Sequence, residues 1–174
     1  AHKKLLIVKP DDPVIVGKNL LEISNIYKET PQEAVYTALK KGYIRVASFN
    51  MAKEDIENFM KQSWVVTGSD GNTGHPRKYG SFPRKYNKYV KQDSIIDMAF
   101  FIKNNTSKTA EILQIKNRGL LREGYFADVI ILNPATFHDK ADYTDAFQFS
   151  EGLEYSIING KNCTLWPVDD VCLA

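Results

Sequence analysis

The sequence predicts an α/β fold over about the first 115 residues, followed by a small module of β-strands. Residues 43–70 have the pattern strand, helix, strand and glycine-rich loop, which is one βαβ unit and implies a parallel sheet with crossover helices. Helical patterns precede and follow this unit. After Gly119 the helical patterns give way to buried-strand patterns and to Asn159-Gly160, the most common two-residue hairpin turn.

The N-terminal third begins with short apolar segments. Residues 5–8 and 14–16 predict two short strands around a turn rich in proline and aspartate. A helix is predicted from Thr30, because Thr30 can cap it, proline occupies its first position and Glu33 completes a capping box. Gly42 ends this helix.

The predicted βαβ unit consists of a β-rich segment at 43–49, a helix at about 53–62 and a short buried strand at 64–67. The glycine-rich loop 68–74 follows it directly. Functional residues collect at the carboxyl ends of strands in sheets of this kind, so this loop is the first place to look for a site.

The second half of the chain begins with residues 75–92, which have no period and predict an ordered loop. Helices are predicted over 94–103, with Ser94 as the cap, and over 107–113. A buried strand is predicted at 129–132 and a closing hairpin over 155–165.

Composition describes an ordinary globular chain of 174 residues with 43% hydrophobic residues and a net charge of +2. That charge favours neither nucleic acid nor an anionic membrane as a partner, and no apolar run approaches the roughly 20 residues that span a bilayer. Cys163 and Cys172 have no metal-ligand spacing, and we expect reduced thiols rather than one terminal bridge. The N-terminus carries no secretory signal, so we expect a cytoplasmic protein. Because the chain starts at Ala1, we also expect it to begin inside a longer protein.

Asp70 is the principal candidate for a catalytic residue, because it directly follows the predicted strand 64–67. Gly68 and Gly71 flank it and permit close approach of a ligand. An aspartate in an isolated Ser-Asp-Gly sequence more often caps a turn, so position alone leaves both interpretations open.

The longer sequence context resembles the D-aminoacylase (N-acyl-D-amino-acid deacylase) branch of the amidohydrolase superfamily. The segments that carry the resemblance are 16–23, 49–51, 68–71, 75–84, 118–128 and 159–161. Together they extend over nearly the whole chain. The match over 68–84, with Ser-Asp-Gly followed by His-Pro-Arg, is specific to the deacylase branch, whereas 118–134 is common to many amidohydrolases.

This resemblance implies a fold and a domain boundary. Residues 1–115 would be the last strands and helices of a metal-dependent hydrolase (β/α)₈ TIM barrel, and residues 116–174 the C-terminal strands of a small β-sandwich domain. A complete barrel needs roughly 200–250 residues, so we expect a fragment of a longer enzyme, inactive alone. The family's His-x-His pair is absent, so the zinc cofactor of the complete enzyme is expected to have no ligand in this chain.

The resemblance also implies a reaction, the zinc-dependent hydrolysis of N-acyl-D-amino acids to a carboxylate and a free D-amino acid. Asp70 matches the residue that takes a proton from the zinc-activated water and delivers it to the leaving amine. Arg77 matches the residue that binds the substrate α-carboxylate. Ser69, Gly71 and His75 match positions beside them and are predicted to contact the substrate. His75 is expected to form hydrogen bonds rather than to bind metal.

Two alternatives remain open at this stage. One is an amidohydrolase of the hydantoinase or dihydropyrimidinase type, which acts on cyclic amides. The other is a non-catalytic remnant that serves as a binding module. Only residues 72–74 separate Ser-Asp-Gly from His-Pro-Arg, fewer than is usual in the family. The expected partner is a small-molecule substrate, and a surface exposed by truncation would favour self-association.

Overall fold

A computed structural model describes residues 5–7, 11–72 and 74–163, with the backbone alone described for 5–7. The helices are α1 (Leu20–Tyr27), α2 (Pro31–Lys40), α3 (Lys53–Met60), α4 (Arg77–Arg84), α5 (Met98–Asn105) and α6 (Ser107–Ile112), with a 3₁₀ turn at Pro13–Ile15 and a π-helix at Lys85–Gln92. The strands are β1 (Leu5–Ile7), β2 (Val46–Ser48), β3 (Val129–Leu132), β4 (Leu153–Ile158) and β5 (Lys161–Asn162).

The chain divides into two compact units. The first takes the described residues of Ala1–Ala52, Asp70–Tyr79 and Ala141–Gln148, and the second those of Lys53–Ser69, Gly80–Lys140 and Phe149–Ala174. The predicted boundary between residues 115 and 116 concerns domains of the parent fold, and it stays a prediction.

Helix α2 begins where its capping pattern predicts. The Glu33 amide donates to Thr30 Oγ1 at 3.3 Å, and the Glu33 carboxylate accepts the Thr30 amide at 3.0 Å. The preceding helix α1 was not predicted, although Asn19 and Glu22 form the same reciprocal arrangement. The Asn-x-x-Glu spacing was therefore a readable signal for α1.

The first unit is centred on Ile15, Ile23, Ala34 and Ala38, all of which are buried. The two alanines on α2 allow α1 to pack closely against it. The strand expected at 14–16 is wrong, because the Asp12 carboxylate accepts the Val14 amide at 3.0 Å and closes a local turn instead.

The small sheet of the first unit pairs β1 with β2 in antiparallel register, Leu6 opposite Ala47. The predicted strand at 43–49 is thus confirmed over Val46–Ser48. The parallel βαβ unit is not formed, because residues 64–67 are not in a strand. No strand within the described ranges pairs with them, and Trp64 is 62% exposed.

Side chains bind this segment in place of a neighbouring strand. Asn104 Nδ2 donates to the Val65 carbonyl at 2.8 Å, and Lys85 Nζ donates to Thr67 Oγ1 at 2.7 Å. A strand exists only where another strand satisfies its backbone, so the local apolar pattern was insufficient.

Residues 77–92 are helical, so the loop predicted over 75–92 is wrong for most of its length. The π-helix begins two residues after Pro83, whose missing N–H interrupts the regular helical bonding of α4. Tyr86 on the π-helix is buried, with its ring 5.7 Å from that of Phe101 and 5.6 Å from that of Phe137. The segment has no hydrophobic period that would predict a helix, and the packing of Tyr86 stabilises it instead.

Helix α5 starts later than predicted, because Asp97 rather than Ser94 caps it by accepting the Phe100 amide at 2.7 Å. Ser94 itself has a left-handed φ of 51°. The helix predicted at 107–113 is confirmed as α6.

Strands β3, β4 and β5 form an antiparallel sheet in that order. The hairpin is confirmed, since Asn159 and Gly160 both have positive φ, as its turn requires. The strand at 129–132 is also confirmed, but its predicted burial is wrong because Ile130 is 58% exposed. The predicted second hairpin strand beyond Cys163 lies outside the described residues.

Cys163 is disulfide-bonded, so the expectation of a reduced thiol is wrong at this position. Cys172 lies outside the described residues. Among the helices of the described ranges, none has the length and apolar character needed to cross a membrane.

Candidate functional site

Asp70, in the loop that follows residue 69, has a strained backbone conformation. Asp70 has φ 44°, in the left-handed region that side chains other than Asn and Asp rarely adopt. The next glycine with positive φ is Gly74, at 81°. Aspartate tolerates this conformation at modest cost, and the turn leaves its side chain 86% exposed. The carboxylate predicted to be catalytic is therefore accessible.

Arg77, the first residue of α4, binds Asp70 at two points. Its Nη2 lies 2.6 Å from Asp70 Oδ2, and its Nε donates to the Asp70 main-chain oxygen at 2.8 Å. An exposed ion pair of this kind adds little to folding stability. Its significance is positional, because one planar guanidinium fixes both the carboxylate and the backbone of Asp70.

His75 lies between these two residues in the sequence and contacts the backbone of Arg77. Its Nδ1 accepts the Arg77 amide at 3.1 Å, which requires that this nitrogen be unprotonated. The imidazole packs edge-on against Tyr143, with ring centroids 5.1 Å apart. Burial and, after it, the nearby Arg77 charge lower the pKa of His75, whereas Asp70 opposes this shift.

Tyr143 and Arg45 also belong to the candidate site, and the sequence analysis did not predict either residue. Tyr143 also packs against Phe49, with a centroid distance of 5.1 Å and an interplanar angle of 74°. The Arg45 guanidinium donates to the Asn72 side-chain oxygen, and its Nε donates to Tyr43 Oη at 3.2 Å. The ring contacts of Tyr143 and the contact of Arg45 with Asn72 join residues far apart in the chain, so no local sequence pattern predicts them.

The predicted site residues are thus partly assembled. Asp70, His75 and Arg77 form one connected group in the first unit. Ser69 is partly buried and Gly71 is exposed, and both adjoin Asp70 through the chain.

The described residues do not fit a zinc ion. Among them, no three His, Cys, Asp or Glu side chains are close enough together to hold a metal. Near the site, the Asp70 carboxylate is already paired with a guanidinium, whose positive charge opposes a divalent cation. His75 also uses Nδ1 to accept an amide proton.

No family model matches the chain, but individual proteins do. It is 27% identical over 152 residues to D-aminoacylase from Alcaligenes xylosoxydans xylosoxydans. This alignment covers 85% of the chain and 31% of that relative. It is 29% identical over 165 residues to the N-acyl-D-aspartate deacylase of the same organism, covering 92% of the chain and 32% of the relative.

The chain is thus similar in sequence to N-acyl-D-amino-acid deacylases. A third such protein, the N-acyl-D-glutamate deacylase of the same organism, is 28% identical over 123 residues, or 68% of the chain and 25% of that relative. The chain thus spans between a quarter and a third of the length of these deacylases.

Solved deacylase structures share its fold. The N-acyl-D-glutamate deacylase of Bordetella bronchiseptica, complexed with zinc and a phosphonate mimic of the tetrahedral intermediate, superposes with a TM-score of 0.85. The two are 23% identical, and the superposition covers 98% of this chain and 36% of that one. A D-aminoacylase described as defining a novel subset of amidohydrolases gives a TM-score of 0.77 at 24% identity. That superposition covers 91% of this chain and 34% of the D-aminoacylase chain. The predicted α/β fold class is confirmed by these structural similarities.

Proposed function

We propose that this chain is part of an enzyme that hydrolyses N-acyl-D-amino acids to a carboxylate and a free D-amino acid. The observation that carries the proposal is the contact of Asp70 with Arg77 in a chain whose relatives are deacylases. One residue can move a proton and the other can bind a carboxylate. This reaction requires both functions next to each other.

Asp70 is the proposed general base and acid. Its exposed carboxylate would take a proton from the attacking water and deliver it to the leaving nitrogen of the amide. One of its oxygens, Oδ2, lies 2.6 Å from Arg77 Nη2, and a substrate can engage the same guanidinium. We propose that the arriving carboxylate competes for Arg77 and releases Asp70 for proton transfer.

Arg77 is the proposed binding residue for the α-carboxylate. A guanidinium presents a planar fork of donors that matches a carboxylate and keeps its charge at all working pH values. In the structure this fork already binds a carboxylate, that of Asp70. Ser69, Gly71 and His75 are proposed to complete the substrate-binding surface around this pair.

The zinc of such an enzyme would be held by residues outside the described part of this chain, and it would supply the activated water. We propose that residues 1–115 complete the C-terminal part of a (β/α)₈ barrel and that residues 116–174 belong to a small β-sandwich domain. The antiparallel sheet β3–β4–β5 supports the second assignment.

The test is a substrate panel assayed with the full-length protein. N-acetyl-D-leucine, N-acetyl-D-aspartate and N-acetyl-D-glutamate are compared with their L-enantiomers, with hydantoin and with dihydrouracil. We expect release of free amine from the D-substrates only. Ring opening of the cyclic amides alone would favour the cyclic amidohydrolase, and turnover of none would favour a non-catalytic module.

A further inference from the structure

We propose that His75 is a positioning residue that acts through Arg77. Its uncharged imidazole accepts the main-chain N–H of Arg77 and thereby fixes the guanidinium beside Asp70. The inference rests on the proposed role of Arg77 as the carboxylate-binding residue. It gives His75 a defined part in substrate binding that needs no direct contact between its ring and the substrate.

The first argument concerns the start of α4. The first amides of a helix have no partner within the helix, and a side chain just before it commonly satisfies one of them. Arg77 is the first residue of α4, and the acceptor of its amide is His75 Nδ1 at 3.1 Å. The imidazole therefore determines where the backbone of Arg77 lies, and the guanidinium extends from that point to Asp70.

The second argument concerns the imidazole itself. Its contact with Tyr143, which in turn packs against Phe49, limits the rotation of the ring. Edge-to-face contacts of aromatic rings are favourable beyond simple burial. In this packed position Nδ1 accepts the Arg77 amide, so the ring packing supports that hydrogen bond.

The third argument concerns charge. The charged groups that act on His75 are the Arg77 guanidinium and the Asp70 carboxylate, and its ring packs against Tyr143. Protonation of Nδ1 would turn the acceptor into a donor that faces the Arg77 amide, and it would place a positive charge beside a guanidinium. Burial and Arg77 disfavour that state and lower the pKa of His75 below its ordinary value of about 6.5.

The contact should therefore persist at neutral pH and fail in acid. As pH falls through the lowered pKa, the fixed orientation of Arg77 is lost and carboxylate binding weakens. The Michaelis constant should rise on the acid side. This acid-side rise distinguishes a positioning role from a purely structural one.

Two variants of the full-length enzyme test the inference. His75→Asn retains a side-chain oxygen that can accept the amide two residues ahead, as in an Asx-turn, but it does not titrate. His75→Leu retains bulk without an acceptor. We expect His75→Leu to raise KM about tenfold at neutral pH with kcat within about threefold, and the wild-type KM to approach that of the variant in acid, where the wild type also loses the contact. His75→Asn should keep a near-normal KM and lose the acid-side rise.

The matched control is His138→Asn. His138 Nδ1 contacts the Thr136 carbonyl at 2.7 Å, and this residue belongs to the second unit. We expect its KM and pH profile to equal those of the wild type. A wild-type KM in His75→Leu, or an equal rise in KM in both His75 variants, would overturn the inference.

A measurement independent of turnover separates this inference from the proposed function. Nitrogen-15 NMR of labelled histidine in the full-length protein should show His75 at pH 7.5 as the tautomer with hydrogen on Nε2. A hydrogen on Nδ1 would overturn the inference even if D-substrates are hydrolysed. The expected tautomer in a protein without deacylase activity would retain the Arg77 contact and reject the substrate assignment.

Discussion

Arg77 and Asp70 form a two-point contact, in which Nη2 lies 2.6 Å from Oδ2 and Nε donates to the Asp70 main-chain oxygen at 2.8 Å. The residue proposed to bind a carboxylate thus already binds one. A substrate carboxylate must compete with Asp70 for the same guanidinium. In the proposed mechanism, binding of the substrate carboxylate to Arg77 therefore frees Asp70 from its ion pair. Variants of Asp70 and of Arg77 separate these two effects.

Asp70→Asn in the full-length enzyme should lower kcat by at least about 10²-fold, because an amide cannot exchange a proton with water and the leaving amine. Substrate binding should change less, since Arg77 remains. Steady-state kinetics on the best D-substrate measure both parameters. Asp55→Asn, which removes an exposed carboxylate in α3, is the control. Near-normal turnover by Asp70→Asn would reject the acid/base assignment.

Arg77→Lys should raise KM severalfold and Arg77→Ala about tenfold or more, because lysine keeps the charge but loses the planar fork. Arg84→Lys is the matched control, since Arg84 lies on the same helix and its Nη1 pairs with Asp139 at 3.0 Å. Initial rates over a range of substrate concentrations give KM for each variant. An unchanged KM in both Arg77 variants would remove the carboxylate-binding role.

Gly152→Ala should destabilise the protein more than Gly124→Ala, by about 1–3 kcal/mol. Both glycines have left-handed φ, 81° and 80°, so both substitutions carry the same conformational cost. A Cβ at Gly152 would lie 2.4 Å from the Phe137 nitrogen, whereas one at Gly124 meets nothing within 4 Å. Urea unfolding measures the difference, and equal costs would contradict the steric account.

Lys85 should contribute an increase of the unfolding free energy with pH in the alkaline range. Lys85 is 8% exposed, and burial lowers its pKa. Between that lowered pKa and the ordinary value of about 10.4, the unfolded chain binds more protons than the folded one, so stability increases as pH rises. The Lys85→Met variant should lose this contribution, so its unfolding free energy should rise less, or fall more, with pH than that of the wild type.

Unfolding midpoints of the wild type and Lys85→Met at several pH values between 7 and 10 test this expectation. Lys88→Met is the control, because Lys88 lies on the same π-helix and pairs with Asp93 at 3.2 Å. All other titrating groups are common to the proteins compared. If the unfolding midpoints of the wild type and Lys85→Met change equally with pH, burial of Lys85 does not lower its pKa in the folded protein.

The parts of the fold that depend on neighbours in sequence were predictable. Thr30 and Glu33 cap each other across three residues, and Asn159-Gly160 determines its own turn. The segment 64–67 was misassigned because its strand pattern required a partner strand, and the Asn104 and Lys85 side chains bind it instead. Residues 85–92 were misassigned because burial of Tyr86, a tertiary effect, holds them in a π-helix.

The sequence by itself determined the local helix and turn signals and, through its resemblance to the deacylases, singled out Asp70, His75 and Arg77. The tertiary structure alone decided how these residues meet: Arg77 against Asp70, and the His75 ring between the Arg77 amide and Tyr143. The reason is physical. Capping and turn formation use partners a few residues away, whereas the side-chain orientations in the site depend on contacts with residues such as Tyr143 that only folding brings near.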